Sequence, residues 1–380
     1  MSDAKPPLPP ARFPEGGAEV VVKRNQSKYD FVKVRVWVGD HFYVLSRYLV
    51  CRALVSTKIH AKDAVQISLD LKRTLVDLGL TDIVQEQFED FLYKTMLVFG
   101  YGEVHISCYR MMSSFHRNRV PLLIILAGTA CTGKSTLATK LADRLNLSSV
   151  LQTDLIFELM CNFSGREETL YYSETFASPE ALLREYQSDC DVVRKGVASD
   201  IDKCLKEGKS LIVEGFHIDP RLYQKEVAVQ VHTGSGGGGF SGIVVPFLLT
   251  LDEPSHWAFM ANCPDPRYRT AAAQQSGFAN LQRVQQYLRA HRQEPGVLPF
   301  LEIPINVHSF HETLDLMHDI VLQRIEAEYV VKSHQSSAAK EEEAKKLPPP
   351  PLSPPVAAPA APAAPAAPAA VGAPPDPPSA

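Results

Sequence analysis

The chain has 380 residues, 45% hydrophobic and 22% charged, with a formal net charge of −4. That suits a globular protein whose core is large enough for two or three domains. It supplies no basic field for nucleic acid or an anionic membrane, so neither is an expected partner.

No apolar run approaches the ~20 residues of a spanning helix. The opening MSDAKPPLPPARFPEGG lacks an apolar signal core, so the expected location is cytoplasmic. Seven cysteines, an odd number without a C-x-x-C pair, read as reduced thiols rather than disulfides or a zinc site.

Residues 1–17, rich in Pro and Gly, read as a disordered lead-in. Residues 18–120 read as a small α/β or mostly helical unit. Two short strands, Glu19–Arg24 and Val32–Val38, flank a polar turn. Helical patterns follow over Tyr43–Leu54, Ala61–Leu78, Glu86–Phe99 and Tyr101–Arg117, with Thr81 or Asp82 as cap of the third.

Residues 121–328 alternate strand and helix. Leu122–Ala127 is an apolar strand, followed by a glycine-rich turn and a helix through Leu145. Ser149–Gln152 is a short strand with a helix from Asp154, and a long helix over Pro179–Glu207 stops at Gly208. Strands at Ser210–Val213, Ile243–Leu251 and Phe300–Ile303 complete the set, with late helices over residues 275–291 and 309–328. Continuous apolar strands alternating with helices predict an α/β fold, a parallel sheet with helices on both faces. The glycine run within 232–242 reads as a flexible insertion. From 333 onward, a charged stretch at Lys340–Lys346 and the Pro/Ala run Pro348–Ala380 read as a disordered tail. A proline-reading partner for that tail is the alternative to a plain solvated spacer.

The chemistry concentrates around Gly128-Thr129-Ala130-Cys131-Thr132-Gly133-Lys134-Ser135, followed by Thr136. This G-x-x-x-x-G-K-[ST] pattern turns successive backbone N–H groups toward phosphate oxygens at a helix N-terminus. Lys134 would reach the β- and γ-phosphates of ATP and Ser135 would ligate Mg²⁺. Glu214 ends an apolar strand, a Walker B arrangement that would hold the metal's shell. Asp154, after the second strand, would orient or deprotonate an acceptor hydroxyl, or else only cap its helix. His217 is a candidate substrate contact. Arg267 and Arg269, where a lid would lie, are candidate catalytic cations and Arg283 a candidate substrate cation. Ser173 and Thr175 are candidate acceptor-site residues.

Residues 20–328 resemble the archaeal 2-phosphoglycerate kinases and their plant low-phytic-acid P-loop relatives. The resemblance rests on the GTACTGKST loop, the QTD turn, the block VRKGV…LKEGKSLIVEGFHIDP and the late helix FANLQRVQQYL. Its most diagnostic piece is the EGxHxxP element, Glu214-Gly215-Phe216-His217-Ile218-Asp219-Pro220. It implies a P-loop kinase domain at 121–328, preceded at 18–120 by an ATP-cone-like domain whose outline includes Val22-Lys23-Arg24, Phe31 and Tyr109-Arg110. It also implies transfer of the ATP γ-phosphate to a hydroxyl of a small phosphorylated acid, 2-phosphoglycerate in the archaeal case.

Two features depart from the family pattern. The frequent TDS-x-R turn is Thr153-Asp154-Leu155-Ile156-Phe157 here, and Cys263–Phe278 is short and Ala-rich for the lid. Both bear on the acceptor and leave two other readings open: a kinase of inositol phosphates (phytate metabolism) or nucleotides, and a non-catalytic ATP-binding sensor.

Overall fold

The computed structural model of the chain describes residues 27–166, 171, 176–226, 242–262 and 271–346. Up to Val331 they form one compact unit; the second unit, Lys332–Ala380, is described only as helical backbone through Lys346. The lead-in, the expected strand Glu19–Arg24, residues 232–241 of the glycine-rich insertion and the Pro/Ala run lie outside the described residues. Among the described residues no helix is long and apolar enough to cross a membrane, and Cys51, Cys108, Cys131, Cys161, Cys190 and Cys204 form no disulfide.

The first part of the chain builds a three-stranded sheet in the order β2-β1-β3. After the short α1 (Lys28–Phe31), capped by Ser27, come β1 (Arg35–Val38) and β2 (His41–Val44). They pair antiparallel across the two-residue loop Gly39-Asp40, where Gly39 takes φ 63°, a conformation that glycine adopts without strain. This corrects the expected helix over Tyr43–Leu54. Tyr43 and Val44 belong to the hairpin, and α2 (Arg47–Ser56) begins after Ser46, which caps it. Next come α3 (Ala61–Asp77), β3 (Asp82–Val84), α4 (Gln85–Val98) and α5 (Glu103–Arg117). Contrary to expectation, neither Thr81 nor Asp82 caps α4, whose N-cap is Val84. Asp82 lies in β3, parallel to β1, and takes the Arg35 guanidinium at 2.7 Å and the Trp37 indole N–H at 3.2 Å. The unit's core is the inner face of α3 (Ala64, Ile67, Leu71, Leu75) with Val36, Leu54, Phe88, Leu92 and Met96.

The larger sheet holds β4 (Leu122–Ala127), β5 (Val150–Gln152), β6 (Ser210–Gly215), β7 (Ile243–Thr250) and β8 (Leu301–Pro304). Their order is β5-β6-β4-β7-β8, every pair parallel. All six residues of β4 are buried because alternate side chains serve two cores. Leu123, Ile125 and Ala127 face α7 (Thr153–Ser164), α8 (Pro179–Glu207) and α10 (Ala271–His291). Leu122, Ile124 and Leu126 face α5, α6 (Lys134–Leu145) and α11 (Phe310–Lys346). A further helix, α9 (Glu253–Ala261), is capped by Asp252 and follows β7. α11 runs well past 333, where a tail was expected, because residues 333–346 are rich in the strong helix formers Ala, Glu, Lys and Gln.

α5 belongs to both halves. Ile106 and Tyr109 pack in the first core, while Met111, Met112 and Phe115 cover the large sheet. Two further ties run from α11, where the His318 ring contacts the Ser56 carbonyl at 3.1 Å, and from Arg52 to Asn146 at 3.2 Å.

The sheet order places a topological switch point at β4. The first crossover leads to β6 and β5 on one side, and the chain later returns to β7 on the other. Ligands bind outside the carboxyl ends of the strands at such a point. In denaturant titrations, Ile124→Ala, at a position with no exposed surface, should cost about 3 kcal/mol. Leu301→Ala, on the 42% exposed edge position of β8, should change stability by less than about 1 kcal/mol.

Candidate functional site

β4 ends in the turn 128–133, whose backbone is built for close contact. Gly128 takes φ 151°, and a Cβ there would lie 2.6 Å from the Leu249 carbonyl of β7. Gly133 takes φ 79°, and its Cβ would meet the Phe310 ring at 2.9 Å. Between them Cys131 adopts φ 56°, uncommon for a side chain-bearing residue. α6 begins at Lys134 without a side-chain cap, which leaves its first-turn N–H groups to an anion. The Thr132 hydroxyl donates to the Thr129 carbonyl at 2.9 Å. Lys134 is buried, and its ammonium donates to the same carbonyl at 2.8 Å. Ser135 and Thr136 are exposed on the first turn.

Glu214, next to last in β6, stands opposite Leu126 of β4 and Gln152 of β5. It is 1% exposed and its Oε2 has no hydrogen-bond partner. Burial pushes its carboxyl above the ordinary value, against the pull of the Lys134 ammonium and the Ser135 hydroxyl. At Gly215, φ 154°, a Cβ would come within 1.7 Å of Thr153 Oγ1, so no larger residue fits. The β6 end and the α7 start touch there, and that contact sets Asp154. Asp154 does not cap α7, whose N-cap is Gln152 without a side-chain bond. Its Oδ1 instead accepts the Phe216 N–H at 3.1 Å.

His217 is 6% exposed, tilted against the Phe157 ring at 4.2 Å between ring centroids and bordered by Phe216 and Tyr171. Its Nδ1 is 3.6 Å from Asp154 Oδ1, too far for a hydrogen bond, and both ring nitrogens lack partners. The Asp154 side chain is about half exposed, at 56%. Surrounding protein opposes its charge, but the His217 ring, the Lys134 ammonium and the Phe216 N–H outweigh that and hold its carboxyl at about 2.

The structure thus brings the phosphate turn, Lys134, Ser135, Asp154, Glu214 and His217 to one strand edge. Arg267, Arg269, Ser173 and Thr175 lie outside the described residues. Arg283 is exposed on α10, one residue beyond Gln282, and its charge acts on Glu180 at the start of α8. Three residues were not read from the sequence. Thr153 is buried with an unpartnered hydroxyl, Tyr171 borders His217, and His256 of α9 reaches the Ala130 carbonyl at 2.9 Å. Thr153 lies in the QTD turn beside Asp154, while Tyr171 and His256 have no spacing signal, because tertiary packing alone brings them in.

Among the described residues no group of three His, Cys, Asp or Glu could by itself hold a metal. A Mg²⁺ ion needs less, since it keeps several waters and takes one or two protein oxygens plus phosphate. The Ser135 hydroxyl and the unpartnered, buried Glu214 Oε2 fit that donor set.

Residues 124–257, from β4 to α9, match the family model described as an AAA domain. A 2-phosphoglycerate kinase of Methanopyrus kandleri is 26% identical over 296 residues, which covers 74% of this chain and 85% of that enzyme. A 2-phosphoglycerate kinase of Pyrococcus horikoshii is 29% identical over 48% of this chain, and the match spans 63% of the relative's own length. Among solved structures, a gluconokinase from Sinorhizobium meliloti aligns with a TM-score of 0.33 at 13% identity, over 56% of this chain and 98% of its own.

A carboxyl whose folded-state value is raised binds its proton more tightly in the fold than in the unfolded chain. Stability then falls as pH rises through the folded-state value, and the ionised group destabilises the ligand-free protein at neutral pH. Glu214→Gln should therefore melt at a higher temperature than the parent near neutral pH. The difference should shrink as the pH falls below the ordinary carboxylate range. A lower melting temperature for the variant would mean that the contacts of the charged Glu214 with Lys134 and Ser135 outweigh its burial.

Proposed function

We propose that this chain, which is similar to the archaeal 2-phosphoglycerate kinases, is a P-loop phosphotransferase that moves the γ-phosphate of ATP to the free hydroxyl of 2-phosphoglycerate, giving 2,3-bisphosphoglycerate. One observation supports a small polar acceptor more than any other. Among the described residues, five of the nine buried side-chain atoms without a hydrogen-bond partner (Thr129 Oγ1, Thr153 Oγ1, Glu214 Oε2 and both His217 ring nitrogens) gather at the carboxyl ends of β4 to β6. Buried polar atoms left without partners cost about 1–3 kcal/mol each, so their concentration at a ligand edge speaks for groups that a ligand satisfies.

In this reading the turn 128–133 and the first turn of α6 cradle the phosphates of ATP. Lys134 exchanges the Thr129 carbonyl for phosphate oxygens. Ser135 and Glu214 hold Mg²⁺, which when bound offsets charge on the phosphates. The acceptor hydroxyl lies against Asp154. Held at about 2, that carboxylate is ionised at neutral pH and is a weak base. It accepts a hydrogen bond that aligns the hydroxyl and takes the proton once the new P–O bond has lowered the hydroxyl's own hold on it. A loose phosphoryl-transfer transition state asks for this alignment more than for a strong base. His217 donates a ring N–H to the acceptor's carboxylate or phosphate oxygens.

The departure at 153–157 motivates one alternative. Leu155 is 59% exposed beside Asp154, where the family pattern has serine, so an inositol phosphate is the second acceptor to test. A panel of 2-phosphoglycerate, inositol phosphates and nucleoside monophosphates with γ-labelled ATP should label 2-phosphoglycerate. Label on an inositol phosphate or nucleotide, and none on 2-phosphoglycerate, would sink the assignment. Lys134→Ala should lower kcat by roughly a thousandfold or more. His217→Ala should raise KM for the acceptor about tenfold, for one lost hydrogen bond to an anionic group, and leave KM for ATP unchanged.

A further inference from the structure

We propose that His256, in a tautomer set by Gln282, is a positioning residue for the P-loop: it holds the Ala130–Cys131 peptide in the orientation that presents its amide to phosphate. His256 lies on α9 with no exposed surface. Its Nε2 is 2.9 Å from the Ala130 carbonyl oxygen, and its Nδ1 is 3.0 Å from Gln282 Nε2 on α10. A carboxamide nitrogen only donates and a carbonyl oxygen only accepts. Nδ1 therefore accepts from Gln282, and Nε2 carries the hydrogen that goes to Ala130. Both bonds are satisfied by one neutral tautomer. Burial, and the Lys134 ammonium nearby, also disfavour a protonated ring, against the opposing effect of the Ala130 carbonyl.

A planar trans peptide holds its carbonyl and its N–H in opposite directions. Fixing the Ala130 oxygen on His256 thus directs the Cys131 N–H away from the ring. The peptide needs such a hold. Cys131 sits at φ 56°, a left-handed conformation that costs a residue with a Cβ about 1–3 kcal/mol unless its surroundings enforce it. Flipping this peptide would turn a carbonyl oxygen toward the phosphates in place of an N–H. The Gln282 amide belongs to the same arrangement as Gln285, one helical turn on, which binds the Leu251 N–H and carbonyl at 3.1 and 3.0 Å. The start of α9 and the middle of α10 are thereby fixed to each other, and His256 passes that fixed position to the phosphate turn.

Titration calorimetry of Mg-ATP, with no acceptor present, tests the role separately from the identity of the acceptor. His256→Met keeps the volume and loses the donor, and its Kd should rise about tenfold. His256→Gln restores an amide donor at a similar reach, and should bind within about threefold of the parent. Gln282→Met frees the tautomer and should weaken binding about threefold. In turnover, KM for ATP should rise for His256→Met while KM for the acceptor stays. Melting curves separate this from loss of fold. The proposal is overturned if folded His256→Met binds ATP as the parent does, or if His256→Gln is as weak as His256→Met at equal stability. Should His256→Met not fold, unchanged binding by Gln282→Met overturns it.

Discussion

The site depends on one steric contact. β6 ends and α7 begins so close together that a single Cβ at Gly215 would overlap Thr153 Oγ1. Only a glycine allows that approach, and its neighbours take their places from it. Glu214, one residue before, is carried into the sheet opposite Gln152, and Asp154, one residue after Thr153, is carried onto the Phe216 N–H. His217, two residues after the glycine, is turned onto the Phe157 ring of the same helix. A strand end and a helix start, brought into van der Waals contact, fix three polar side chains with no dedicated loop between them.

The polar side chains of the site run against folding. A carboxylate in a sheet interior, an ammonium bonded to a carbonyl of its own turn, and an imidazole with two empty nitrogens are each less stable than apolar residues of their size would be. The compensation comes from the layers on either side. β4 and β7 are buried along their whole length, and two separate apolar clusters cover the sheet's faces. Local rules broken at a site and kept everywhere else are what a functional surface on a stable scaffold looks like.

The same contrast decides what could be read in advance. The strands of the large sheet are continuous apolar runs between glycines, prolines and serines, so β4, β6 and β7 and the helices α6 and α8 stand out in the sequence. Glu214-Gly215 stands out as well, because an acid closing an apolar strand has few structural uses. The hairpin β1–β2 was not legible as a whole. β2 is four residues long, with Phe42, Tyr43 and Val44 all about half exposed, so it has no burial pattern for alternation to reveal, and its aromatic residues fit a helical pattern equally well. His256 was invisible for another reason. It is 126 residues from its partner Ala130 and 26 from Gln282, and nothing in a linear pattern marks a histidine that meets a phosphate turn only through the packing of two helices.

α5 carries a different consequence. Its first turns complete one hydrophobic core and its last turns roof another, so the part before residue 120 is not a detachable module. A chain cut at that boundary would strip Met111, Met112 and Phe115 from the sheet that holds the phosphate turn. The two parts should instead melt as one cooperative species. Any event that loosens α5 from the small sheet, at a distance from every phosphate-binding group, would then be felt in the strand from which the P-loop springs. In this protein, evolutionary exchange of the N-terminal portion alone would leave an exposed apolar face on the catalytic layer.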